Sequence, residues 1–154
     1  MQNYIKSQTR LAFVQYIFQN EFLNADSSES IEDFQNHFYD TNIAIIDEEK
    51  EFRLKFNKNF LDRLFSSLKT NIDKKNISEE LNSFIDINRR FEKWDNILKS
   101  IIFAIIAELL ITEKNKFKIV FNDYLNISKS LVSQKETKLI NAIIQKYIDK
   151  NKND

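Results

Sequence analysis
Three features of this 154-residue chain predict an all-α fold. It has no Gly and no Pro, so tight two-residue hairpins, which need positive φ, lack their usual residues. Its apolar residues recur at three- and four-residue steps, the period of a helix buried on one face. No stretch shows a clear extended-strand pattern. The length suits one domain over residues 1–154, because units of this size already bury most of the apolar surface that their unfolded chain exposes.

The first helix is expected from about residue 5 to 23, where Leu11, Val14, Phe18 and Phe22 make a stripe that Phe13 and Ile17 widen. Residues 24–30 break that pattern. Ser30 and Asp33 have the spacing of a helix-starting cap, which predicts a short helix over 31–37 ahead of a mixed stretch, 40–47. From Asp47 a second long helix is expected, since Phe52, Phe56, Phe60, Leu64 and Leu68 fall at four-residue steps. Residues 74–78 read as a turn and Ser78 as the start of a helix with Leu81, Phe84, Ile85 and Phe91 as core candidates. Asn24, Asn71, Asn76 and Asn115 are the candidates for left-handed helix ends in the absence of glycine.

Residues 97–111 are apolar on nearly every face, which predicts a helix with others packed around it. At about 15 residues, with Lys99 and Glu108 inside, it is too short to span a membrane. Glu108 in such a helix needs a buried pair or an inter-helix hydrogen bond. Asn122 is read as a helix cap next to Asp123. Ser133 and Glu136 form a capping box, after which Leu139, Ile140, Ile143, Ile144, Tyr147 and Ile148 make the seam of a last helix, and 150–154 a frayed tail. Asn141 is a poor helix former among apolar neighbours, so a buried polar anchor is one reading of it.

The chain balances 23 basic against 23 acidic residues, yet unevenly. Residues 1–20 carry two basic and no acidic side chains, 21–51 one against ten, and 113–154 nine against five. Basic ends beside an acidic segment can draw a polyanion to one side, although solvated helices often carry such runs. Without cysteine there is no disulfide framework or thiol nucleophile, and a cytoplasmic location is expected. With His37 as its one histidine the chain cannot build a Ser-His-Asp relay or a multi-histidine metal site, and phosphate loops need absent glycines. A non-catalytic protein without cofactor or metal is the expectation.

The order of elements in the last third resembles the NusB family of transcription antitermination factors. There, a buried helix ending in Glu-Leu leads into an Asn-Glu-Ala…Ala-Lys helix and then a Phe-Val-Asn-Gly-Val-Leu helix. The counterparts here are Glu108-Leu109, Asn122-Asp123, Ser128-Lys129 and Leu139-Ile140-Asn141. At the other end, the run from Arg10 through Gln15 to Phe18 is similar to the family's opening Arg…Ala-Val-Gln-Ala-Leu-Tyr helix.

The resemblance implies about seven helices in two packed sub-bundles. It also implies binding of a boxA-like single-stranded RNA, together with the small-subunit ribosomal protein that doubles as NusE, on transcribing RNA polymerase, with rRNA operons as targets. By position it assigns RNA contact to Lys6, Arg10, Lys129, Lys138 and Asn141. Tyr4 or Tyr16 offers a ring for an unpaired base, but Tyr16, with Phe18, fits the core or a protein interface better. The chain departs from the family pattern in several places. The N-terminal arginine run shrinks to Lys6 and Arg10, Ala142 replaces a glycine, and Phe103 and Ala107 replace an arginine and a tyrosine on a surface read as facing the partner. Two other readings compete. One is the NusB-like accessory domain of rRNA cytosine methyltransferases, disfavoured on the expectation that this chain stands alone. The other is a helical scaffold that dimerises through Phe34, Phe38, Tyr39 and Phe65.

Overall fold
A computed structural model describes residues 3–22, 43–47, 50–53, 56–85 and 90–152. Six α-helices occur among them: α1 (Asn3–Ile17), α2 (Lys58–Asn71), α3 (Lys74–Asn82), α4 (Asn96–Leu109), α5 (Phe117–Ser128) and α6 (Gln134–Lys152). The predicted all-helical class holds. The short helix expected over 31–37 and the candidate cap Asn24 lie outside the described residues. The chain divides into two compact units, Met1–Phe65 and Ser66–Asp154, with α2 passing from one to the other.

In the first unit, α1 buries Ala12, Phe13, Val14 and Ile17 completely, then widens into one π-helical turn, Phe18–Phe22. The helix expected from Asp47 does not form there. Ile43–Asp47 and Lys50–Arg53 pair as a short antiparallel hairpin, with Ile43 opposite Arg53 and Ala44 opposite Phe52. Runs such as Ile-Ala-Ile-Ile suit a pleated strand, and the four-residue phenylalanine spacing that suggested one helix crosses a true boundary at Asn57. The Asn57 Oδ1 atom accepts the Phe60 N–H at 2.8 Å, capping α2, while the Asn57 N–H donates to Thr9 Oγ1 at 2.9 Å. Thr9 in turn donates to the Ile5 carbonyl at 2.7 Å, so α1 fixes the point where α2 begins.

In the second unit, α3 starts one turn earlier than Ser78. The Asp73 carboxylate accepts the N–H groups of Lys75 and Asn76, so the cap lies outside the lysine run that read as a turn. Helix α4 is buried without interruption from Ser100 to Leu109 and packs against both α5 and α6, which pack against each other. That matches the central rod expected of a stretch apolar on every side. Glu108 within it is 3 % exposed and accepts the Tyr124 hydroxyl at 2.8 Å, the inter-helix hydrogen bond that its position demands. Phe91 is wedged edge-on between Trp94 and Phe103, at 5.3 and 5.5 Å between ring centroids.

Helix ends show how a glycine-free chain stops. The caps Ser83, Leu110 and Lys129 keep right-handed φ and ψ, and the chain unwinds through tighter bonds such as Ile111 N–H to Glu108 O and Ser130 N–H to Ile127 O. The asparagines expected to take this role do not. Asn71 ends α2 inside the helix, Asn76 lies within α3, and Asn115 sits in a 3-10 turn, Lys114–Lys116. Asn122 is no cap either, because α5 begins a turn and a half before it.

The capping box of α6 is present in both directions: Ser133 N–H donates to Glu136 Oε1 and Glu136 N–H to Ser133 Oγ, each at 3.1 Å. Ser133→Ala is expected to cost about 1 kcal/mol in a urea-denaturation comparison with the parent. Helix α6 runs on to Lys152, so Lys150 and Asn151, expected in a frayed tail, are helical and held by Glu80 on α3. Burial pushes the phenol of Tyr147, on the inner face of α6, up to about 12, and the Glu80 carboxylate adds to the effect. The folded state therefore holds this proton more tightly than the unfolded chain, where the phenol ionises near its ordinary value of 10. That stabilisation is complete below about pH 10 and is lost as the pH climbs to about 12. An alkaline denaturation series is expected to show the loss over this window, and Tyr147→Phe to reduce it.

Candidate RNA-binding surface
The residues proposed from sequence fall into both units, and each unit treats its own differently. In the first, Lys6 is half-buried on the opening turns of α1. Arg10 is only 6 % exposed, and its guanidinium carbon lies 5.4 Å from the centroid of the Phe60 ring. It therefore packs inside its unit against an aromatic face, and is not set out on the surface as the resemblance implied. Tyr16 is half-buried with its ring 4.4 Å from that of Phe65, and Phe18 is half-buried in the π-helical turn. Tyr4, 48 % exposed, presents more ring to solvent than Tyr16.

In the second unit, Lys129, Lys138 and Asn141 are all exposed. Lys129 caps the end of α5 and donates from Nζ to Asn126 Oδ1 at 3.3 Å. Lys138 and Asn141 lie three residues apart on α6 and so share its outer face, while Ile140, Ile143, Ile144 and Tyr147 are turned inward. This removes the buried-anchor reading of Asn141: the polar residue is tolerated because it faces water. Ala142, in place of the family glycine, is exposed beside it.

Phe103 and Ala107 are not part of any surface. They are 3 % and 0 % exposed, so the two departures from the family pattern alter the interior of the unit rather than a face open to a partner. Phe65 is 2 % exposed and cannot supply a dimer patch; Phe34, Phe38 and Tyr39, named with it, lie outside the described residues.

The charge distribution around the α5–α6 pair was not anticipated residue by residue. From Lys114 to Lys146 every exposed charged side chain is a lysine, seven in all, and the two carboxylates in that span, Asp123 and Glu136, are half-buried. Lys118, Lys135 and Lys146 join the expected Lys129 and Lys138 in this set, interleaved with the exposed amides of Asn122, Asn126 and Gln145. The signal was present in the spacing, since these residues occupy the helix positions opposite the apolar seams. A solvent face rich in cations and amides, without exposed acid, can neutralise phosphates and hydrogen-bond to base edges. Among the described residues no cluster of His, Cys, Asp and Glu is placed to hold a metal ion, and no helix is long and apolar enough to cross a membrane.

Comparison with known proteins agrees with the resemblance drawn from the motifs. The sequence profile of the NusB family matches residues 7–149. The chain is 26 % identical over 141 residues to the transcription antitermination protein NusB of Rickettsia conorii, covering 92 % of this chain and 89 % of that one. The protein of the same name from Rickettsia massiliae matches to the same extent, and that of Rickettsia felis is 25 % identical over 146 residues, covering 95 % and 92 %. No solved structure matches the chain.

Proposed function
Because the chain belongs to the NusB family, we propose that it is a non-catalytic transcription antitermination factor working in the cytoplasm on transcribing RNA polymerase. In this reading it binds a boxA-like single-stranded RNA together with the NusE-type small-subunit ribosomal protein, with rRNA operons as the targets. The observation that carries the RNA-binding part is that every exposed charged side chain from Lys114 to Lys146, along α5 and into α6, is a lysine; Lys129, Lys138 and Asn141 lie in this stretch, and the exposed Asp149 lies beyond it on α6. Lys6, on α1 in the first unit, keeps the RNA contact that the resemblance assigns to it. Arg10 contributes by holding α1 against Phe60 rather than by reaching a phosphate, and Tyr16 and Phe18, half-buried near the end of α1, are the side chains assigned to the ribosomal partner.

Fewer basic residues at the N-terminal end mean fewer phosphate contacts, and each one missing lowers affinity and flattens its salt dependence. The partner protein then completes a surface that the chain presents only in part. A salt-titrated anisotropy measurement with labelled boxA-like RNA tests this. Binding is expected to be tighter with the NusE-type protein than without it, and equal affinities in the two arms would remove the shared-recognition mechanism.

A further inference from the structure
Helix α4 ends without glycine, and the last turn of a helix leaves carbonyls that the helix itself does not serve. Three of them find donors nearby. The Leu110 N–H bonds Ile106 O at 3.0 Å, and the Ile111 and Thr112 N–H groups bond Glu108 O and Leu109 O, each at 3.1 Å. Ala107 O takes its donor from another helix: Ser67 Oγ, on α2, reaches it at 2.6 Å. Helical serines and threonines often return their hydroxyl to their own helix, as Ser100 does to Asn96 O at 2.8 Å and Thr70 to Ser66 O at 2.7 Å. Ser67 instead crosses forty positions of sequence. It is 2 % exposed, and Asn71 Nδ2 donates to its oxygen at 3.0 Å, so the hydroxyl proton is given to Ala107. The next residue of α4, Glu108, accepts the Tyr124 hydroxyl from the inner side of α5. Two consecutive residues at the end of α4 are therefore tied by buried hydrogen bonds, one to α2 and the other to α5.

We infer that Ser67 is a positioning residue for RNA recognition: it fixes the end of α4 from which Tyr124 holds α5, and so sets the separation of the polar groups that α5 and α6 present. This rests on the reading that Lys129, Lys138 and Asn141 contact the strand. Ser67, being buried, touches no RNA itself. Lysines are long and flexible and still reach phosphates when a helix shifts, whereas discrimination between bases needs short side chains held at fixed separation.

The test uses the full chain with labelled boxA-like RNA and labelled oligouridine in a salt series, at a temperature where circular dichroism shows each variant folded. In Ser67→Ala the preference for the boxA-like sequence is expected to fall about fivefold, the worth of one net hydrogen bond, with the salt slope parental. Tyr124→Phe keeps the ring and loses the other tie; it is expected to do the same, and it carries the comparison if Ser67→Ala does not fold. Lys129→Gln is the contact reference, with a slope lowered by about 0.7. A merely structural serine loses stability in urea and leaves the preference of the folded protein unchanged. That result, with Lys129→Gln altered, overturns the positioning role and leaves the proposed function standing. A lowered slope in Ser67→Ala overturns it too, because a phosphate contact has then gone. Parental binding in all three variants, or no preference for the boxA-like sequence in the parent, overturns both.

Discussion

Replacing Phe91 with alanine is expected to destabilise the protein by about 3–5 kcal/mol, the cost typical of emptying a fully buried aromatic site. Phe91 is 1 % exposed and meets Trp94 and Phe103 edge-to-face, so the change removes buried area and two ring contacts together. Its backbone N–H donates to Asn82 Oδ1, at the end of α3, at 2.8 Å. The cavity would border α4, whose neighbours leave little room to collapse, since every residue from Ser100 to Leu109 is already buried. Against a total of roughly 5–15 kcal/mol for a domain, this is enough to leave the variant partly unfolded at moderate temperature. Urea denaturation at fixed slope measures it. A loss below about 1 kcal/mol would mean that the Phe91 site closes up freely, and that the aromatic cluster does not organise the second unit.

Reversing two charges, Lys129→Glu with Lys138→Glu, is expected to weaken RNA binding by about tenfold per site at low salt, without loss of fold. Both side chains are exposed, so their contribution to stability is small and the variant should denature within about 0.5 kcal/mol of the parent. The long reach of the effect comes from the absence of exposed acid between Lys114 and Lys146: a new carboxylate there repels the strand across the whole face. Removing two phosphate contacts also lowers the slope of log affinity against log salt by about 1.4, using roughly 0.7 per contact on a single strand. Fluorescence anisotropy from low to moderate salt reads both quantities. A variant that binds as tightly as the parent, with the same slope, would place the RNA elsewhere and take Lys129 and Lys138 out of the site.

Much of the helical plan was legible in the chain because local patterns report local physics. A run apolar on nearly every face identified α4 as the central rod, a three- and four-residue seam identified the inner face of α6, and Ser133 with Glu136 marked where that helix begins. Glu108 announced its need for a partner simply by being a carboxylate among isoleucines, and Tyr124 meets it. Boundaries were less legible where two signals overlapped. The phenylalanine period suggested one helix across residues that form a hairpin and then a capped start at Asn57, and the lysines before Ser78 masked a helix already begun at Asp73.

The sequence by itself determined the helical class, the family and the identity of the core helix, since each depends on composition, order and spacing along one strand of residues. Only the tertiary structure decided which polar residues meet water. Arg10 lies against Phe60, fifty residues away, Phe103 faces Phe91, and Asn141 looks outward although its neighbours are apolar. The physical reason is that burial is a property of pairs: a side chain leaves solvent when a distant segment supplies the area or the hydrogen bond to receive it, and no local period encodes that arrival.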